Sequence, residues 1–367
     1  MMNKIQEITD LGQSIWLDNI HRKMLETGGL QNLIDEGISG VTSNPSIFEK
    51  AIAGSTDYDD QLISMLGQKA SIIEIYEALV LRDIGMAADT LKQVYDRTDG
   101  LDGYVSLEVS PELADDTKGT VEEAKRYFTL LNRPNIMIKV PATEAGIPAI
   151  EALIAAGVNV NVTLIFARTN YEDVAQAYIN GLQRAENAGI ELHGIASVAS
   201  FFVSRVDTAV DKMLAEIGNE KLQGKLAIAN AKLAYRRFKQ IFNGSTWDRL
   251  EKMGARAQRP LWASTSTKNP AYPDTLYVDG LIGPSTVNTV PPTTLDSYLD
   301  HGKVALTLEQ DVETAQDQFN QIKELGIDFN VITQKLQEDG VDAFAKSYRN
   351  LIDSINEKCK QMKVKLA

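Results

Sequence analysis

The chain is poor in the residues that build metal and redox sites. Its 367 residues include one cysteine, Cys359, so no intrachain disulfide and no cysteine-based metal cluster is possible. Its three histidines, His21, His193 and His301, lie far apart and fit no metal-ligand spacing. No run of about 20 apolar residues is present, so no transmembrane helix is expected. The opening MMNKIQEITDLG has no apolar core of a secretion signal, and a cytoplasmic protein is the default expectation. Positive charge is scarce too. With 37 Lys and Arg against 50 Asp and Glu, the net charge is −13, which repels nucleic acid and anionic membranes overall. Any phosphate must be held at a local basic site. A glycine-rich phosphate turn after the first strand is missing, as is a P-loop, which argues against a doubly wound open sheet.

What is present is an alternation. Eight short β-rich runs are separated by helical stretches: SIWLDN (14–19), GVTSN (40–44), GYVSLEV (103–109), IMIKVPA (136–142), NVNVTLIF (159–166), IASVASFFV (195–203), PLWAST (260–265) and TLYVDGLIG (275–283). Most are continuously apolar, as strands covered by helices should be. TVEEAKRYFTLLN (120–132) opens with a capping pattern, and TEAGIPAIEALIAAG (143–157) and YEDVAQAYINGLQRAENAG (171–189) each end in glycine. The pattern predicts an α/β fold, a (β/α)₈ TIM barrel forming one domain over 1–367. Extra helices are expected after the second strand (45–102), with closing and covering helices over 305–367.

Chemistry in such a barrel collects at the C-terminal strand ends. Those ends carry Asp18, Asn44, Glu108, Lys139, Asn161 and Thr163, Ser200 followed by Arg205, then Ser264 and Lys268. Lys139 sits in the apolar stretch NIMIKVPATEAG (135–146). An unpaired ammonium there costs several kcal/mol, by order of magnitude, so the lysine needs a partner or must lose its proton. Desolvation beside Asp18 and Glu108 is expected to lower its pKa below the ordinary value of ~10.4. A neutral amine can attack a ketone to form a Schiff base, and the iminium is an electron sink for cleaving the next carbon–carbon bond. The carboxylates then supply acid and base. Each residue alone also has a plain reading: an ion pair for Lys139, Asp18 and Glu108, a strand residue for Thr163, a turn start for Asn44, a surface arginine for Arg205. Their joint placement favours chemistry.

GVTSNPSIFEKAI (40–52) and NIMIKVPATEAGIPAI (135–150) resemble the second-strand and Schiff-base lysine signatures of the transaldolases, and NVNVTLIF (159–166) and SFFVSRVD (200–207) match the fifth and sixth strand segments. Length and C-terminal helices are similar to the longer transaldolase subfamily. The resemblance implies that Lys139 forms the Schiff base and Asp18 is acid/base at the C4 hydroxyl of the donor. It further implies that Glu108 activates a water held by Thr163. Asn44, Asn161 and Ser200 would bind the dihydroxyacetone end, and Arg205 the phosphate. Phe202 stands where the fructose 6-phosphate aldolases of the superfamily tend to carry tyrosine, and Glu108 where they carry glutamine. The seventh strand departs from the family's Ser-Phe-Arg: Ser264 is kept, but Ser266 stands two places on, and Lys268 is expected to supply the charge. The implied activity is that of the pentose phosphate pathway transferase, with sugar phosphates as partners, no metal or other cofactor, and a monomer or homodimer. The alternatives are a fructose 6-phosphate aldolase-like enzyme and a non-catalytic sugar-phosphate-binding barrel.

Overall fold

In the computed structural model, which describes residues 3–366, eight parallel strands close in chain order into a barrel. They are β1 (Gln13–Leu17), β2 (Val41–Thr42), β3 (Val105–Glu108), β4 (Ile136–Pro141), β5 (Val160–Ile165), β6 (Ser197–Phe202), β7 (Arg259–Ala263) and β8 (Thr286–Val290). β1 pairs with β8 from Gln13 opposite Thr286 to Leu17 opposite Val290, which closes the ring. Every strand residue is buried, because helices cover the outside and side chains fill the inside.

Five of the expected β-runs contain β2 to β6, and two more, 14–19 and 260–265, cover all but the first residue of β1 and β7. The eighth contains no strand. TLYVDGLIG holds a short helix, Leu276–Asp279, and β8 is the polar TVNTV that follows. Several of its polar atoms find partners inside the barrel, although Asn288 Nδ2 has none among the described residues. Gln13 Nε2 donates to Thr286 Oγ1 at 2.9 Å, and Thr265 Oγ1 donates to Asn288 Oδ1 at 3.0 Å. Hydropathy alone cannot foresee such partners.

The helix expected from Thr120 begins a turn earlier, at Thr117, capped by Asp116. The apparent capping pair serves tertiary contacts instead: Thr120 donates to Leu113 O, and Glu123 accepts from the Ser110 amide. Gly146 opens the next helix where a Cβ would lie 1.9 Å from Pro141 O. Only glycine fits that approach, which brings the helix hard against the end of β4.

The link after β2 forms three helices, Pro45–Ala53, Asp59–Gly67 and Ile72–Arg97. The C-terminal region forms Val312–Glu324, packed on Leu226–Ile241, and a 38-residue helix, Phe329–Leu366. The last runs unbroken through Gly340 within the expected 305–367 region. At 1.5 Å per residue it spans about 57 Å. It packs on Pro45–Ala53, Asp59–Gly67, Ile72–Arg97, Ser204–Glu216 and β5, and so crosses the C-terminal mouth of the barrel.

At the opposite, N-terminal end, Asp102 receives hydrogen bonds from Ser14 Oγ (2.6 Å), Trp16 Nε1 (2.9 Å) and Arg259 Nη2 (3.0 Å). Arg259 also donates to Ser14 Oγ and Leu101 O. This floor is a closed network of buried charge.

Candidate active site

The C-terminal mouth holds a cavity of about 310 Å³. Its wall includes Asp18, Asn44, Lys139, Thr163, Ser200, Phe202, Arg205, Ser264 and Lys268. Glu108 lies just behind Lys139, and Asn161 lies within the barrel wall rather than on the cavity.

Lys139 and Glu108 face each other across adjacent strands, in register. Both are almost fully buried, at 5% and 6% exposure. Lys139 Nζ donates to Ser43 O at 3.0 Å but stands 3.6 Å from Glu108 Oε2, beyond a good hydrogen bond. Glu108 Oε2 has no hydrogen-bond partner among the described residues. Burial pushes the Glu108 carboxyl up to about 7, against the pull of the Lys139 charge; nearby Asp18 adds to the rise. Asp18 is also raised by burial, with Lys139, the Thr42 hydroxyl and Lys268 opposing. A directed chain fixes its orientation: Thr42 Oγ1 donates to Asp18 Oδ1 at 2.8 Å and contacts Thr289 Oγ1 at 2.6 Å. The two carboxyls therefore sit in different settings, one held by hydroxyls and one underpartnered beside the amine.

Thr163 lies opposite Pro141, two residues beyond the Lys139–Asn161 pair. Its Oγ1 is buried without a partner among the described residues. β5 bulges here, its register with β6 shifting between Val162 and Ile165, and Leu164 takes φ +59°. Ser264, at the end of β7, takes φ +57°. Each left-handed non-glycine costs about 1–2 kcal/mol, and such strain gathers where side chains must be aimed. Ser264 Oγ contacts Ser204 Oγ at 2.9 Å.

Asn161 Nδ2 donates to Ser106 Oγ and its Oδ1 accepts from Ser200 Oγ at 2.6 Å. It thus orients Ser200, which faces the cavity. Asn44 Oδ1 caps the Pro45–Ala53 helix by accepting from the Ile47 amide at 3.0 Å. Its Nδ2 has no partner among the described residues and remains for the cavity.

The rim is cationic. The Arg205 guanidinium lies 5.2 Å from the Phe202 ring centre, and burial lowers its pKa. Lys268 is lowered by burial and by repulsion from Arg205 and Lys50, while Asp18 opposes. None of the three forms an ion pair among the described residues; Lys268 donates only to Ser266 Oγ. Three such cations on one cavity, in a chain of charge −13, form a local anion site.

Sequence reasoning missed several wall residues. Lys50 lies in the GVTSNPSIFEKAI segment, and its position in the last turn of the helix capped by Asn44 was the available signal. Thr289 was hidden by the misplaced eighth strand. Phe344, from the C-terminal helix, had no signal in the sequence.

Fold and site together define a (β/α)₈-barrel enzyme built around an amine held among carboxyls beneath a cationic rim. A sequence model of the transaldolase/fructose-6-phosphate aldolase family matches residues 15–355, and the chain belongs to that family. It is 46% identical to a transaldolase of Trichodesmium erythraeum (strain IMS101), covering 98% of both chains. It is 46% identical to one of Thermobifida fusca (strain YX), covering 97% of this chain and 98% of the other, and 44% identical to transaldolase 2 of Nostoc punctiforme (strain ATCC 29133 / PCC 73102), covering 98% of both. Within the family the chain sides with the transaldolases. No helix among the described residues is long and apolar enough to cross a membrane.

Proposed function

We propose that the protein moves a dihydroxyacetone unit from sedoheptulose 7-phosphate or fructose 6-phosphate to an aldose phosphate, through a Schiff base on Lys139, as a step of the pentose phosphate pathway. The observation that carries this reading is the incomplete Lys139–Glu108 pair. A structural ion pair in such a buried place would be fully hydrogen-bonded; this one leaves a carboxylate oxygen unpartnered and a carboxyl poised at about 7.

Lys139 Nζ attacks the donor ketone, and the carbinolamine loses water to an iminium. Glu108, able to give and take a proton near neutrality, serves that dehydration and its reversal through a water held by Thr163 Oγ1. Asp18 takes the proton from the C4 hydroxyl. The C3–C4 bond then breaks, its electron pair flows into the iminium, and the aldose phosphate leaves. The bound enamine next adds to the acceptor aldehyde, whose oxygen takes the proton back from Asp18. Ser200, held by Asn161, and Asn44 Nδ2 bind the dihydroxyacetone hydroxyls. Arg205, Lys268 and Lys50 hold the phosphate, with Ser264 beside them. The family's missing seventh-strand arginine is replaced by two lysines, Lys50 on the Pro45–Ala53 helix and Lys268 in the loop after β7.

Borohydride trapping tests this reading. The protein is incubated with fructose 6-phosphate, reduced and digested, and the peptides are mapped by mass spectrometry. A dihydroxyacetone-sized adduct on Lys139, absent from folded Lys139→Ala, is expected. No adduct on folded wild type would reduce Lys139 to a structural cation.

A further inference from the structure

The C-terminal helix does more than cover the mouth. Phe344 is 6% exposed, lines the same cavity as Lys139, and sets its ring centre 5.8 Å from Lys139 Nζ. The helix is held at the height needed for this contact by two devices. Gln337 Nε2 donates to Ala142 O at 2.9 Å and Leu164 O at 3.0 Å, the carbonyls just past β4 and within β5. Gly340 lies against Leu164, where a Cβ would come within 2.8 Å of Leu164 Cδ2 and 3.6 Å of Arg205 Nη1. One helical turn after Gly340, Phe344 comes down over the amine. Further along, Ser46 Oγ donates to Ser347 Oγ at 2.8 Å, and the Tyr76 and Tyr348 rings meet edge to face at 5.4 Å.

We infer that Phe344 is a specificity-determining residue: by roofing Lys139 it sets whether the three-carbon unit on the lysine is transferred to an acceptor or released to water. The inference rests on the Schiff-base reading above. Two routes compete once the first aldose phosphate has left. In transfer, the enamine carbon gives its electron pair to the acceptor aldehyde carbon, forming a carbon–carbon bond while the aldehyde oxygen takes a proton. In release, the same carbon takes a proton from solvent, water adds to the iminium carbon, and the carbon–nitrogen bond breaks. Free dihydroxyacetone departs and Lys139 recovers its amine. The second route needs solvent at the enamine carbon and at the carbon bonded to the lysine nitrogen. An apolar ring over that nitrogen denies it space.

The test measures, on one full-length preparation, free dihydroxyacetone released from fructose 6-phosphate without acceptor and transfer to erythrose 4-phosphate. Their ratio is unaffected by the fraction of folded enzyme. Phe344→Ala is expected to raise the release-to-transfer ratio about tenfold. Phe344→Leu, which keeps apolar bulk but loses the ring, should raise it less. Gln337→Ala, which unpins the helix one side away from the cavity, should also raise it. Should Phe344→Ala not fold, the other two variants decide. An unchanged ratio in the folded variants, with a wild type that transfers, overturns this inference alone. A wild type that traps no donor on Lys139 overturns the function and this inference together.

Discussion

The two ends of the barrel bury charge in opposite ways. At the floor, Asp102 accepts from Ser14, Trp16 and Arg259, and the guanidinium has further acceptors in Ser14 Oγ and Leu101 O. At the mouth, among the described residues, Glu108 Oε2 and Thr163 Oγ1 lack partners, Lys139 stands just out of hydrogen-bond range of its carboxylate, and three cations form no ion pair with a carboxylate. Left-handed non-glycine residues stand at strand ends on both sides of the barrel, Leu164 and Ser264 at the mouth and Ser285 just before β8 at the floor, so backbone strain does not distinguish the two ends. Burial of charge is common to the two ends, so burial alone identifies nothing. How completely the charged groups are paired separates them, since uncharged Gln13 Oε1 and Gln258 Oε1 at the floor also lack partners among the described residues. A closed network stabilises one arrangement, whereas an open one keeps donors and acceptors for groups that arrive later.

That contrast can be broken by substitution. The largest effect is expected at the floor. Asp102→Ala leaves the buried Arg259 and Trp16 without their acceptor and should cost about 3–5 kcal/mol of stability. A denaturant titration would register the lowered midpoint, while the enzyme that stays folded keeps its turnover. An unchanged midpoint with lost turnover would place the floor in the chemistry and end the comparison.

Next comes Glu108→Gln at the mouth. Turnover should fall about a hundredfold, as for loss of a general acid–base group, with slowed Schiff-base formation seen in single-turnover trapping. Stability should respond to pH in a defined sense. Between the ordinary carboxyl value of 4.5 and about 7, folded Glu108 holds a proton that the unfolded chain has released. The wild type therefore loses stability as pH rises through that interval. Glu108→Gln should flatten the slope without abolishing it, since Asp18 is raised as well. Parallel slopes for the two proteins would contradict the account of Glu108.

The smallest effect is expected at the rim. Lys50 is exposed, so its charge is screened. Lys50→Ala should raise the KM for fructose 6-phosphate about threefold and leave that for fructose unmoved. Equal effects on both sugars would remove Lys50 from the phosphate site.

Much of this was legible along the chain. Continuous apolar runs mark β-strands buried on both faces, and seven of eight fell where strands form. The polar residues at their ends converge because a closed parallel barrel sends every strand's C-terminus to one mouth. The departures have one cause. TVNTV became β8 because Gln13 and Thr265 partner its polar side chains across the barrel. Thr120 and Glu123 lost their capping role to Leu113 and Ser110. Nor could the sequence show that Asn161, expected to bind substrate, is held by Ser106 and Ser200.

By itself, the sequence determined the periodicity, the family signatures and which residue types stand at each strand end, since these depend on local propensity and order along the chain. Only the tertiary structure decided which polar groups are satisfied. Pairing energies depend on partners distant in the chain: Lys139 meets Ser43 across 96 residues, and Phe344 reaches it from the last helix. The incomplete pairing at the mouth, and the ring that roofs it, exist only once the barrel has closed and the C-terminal helix has crossed it.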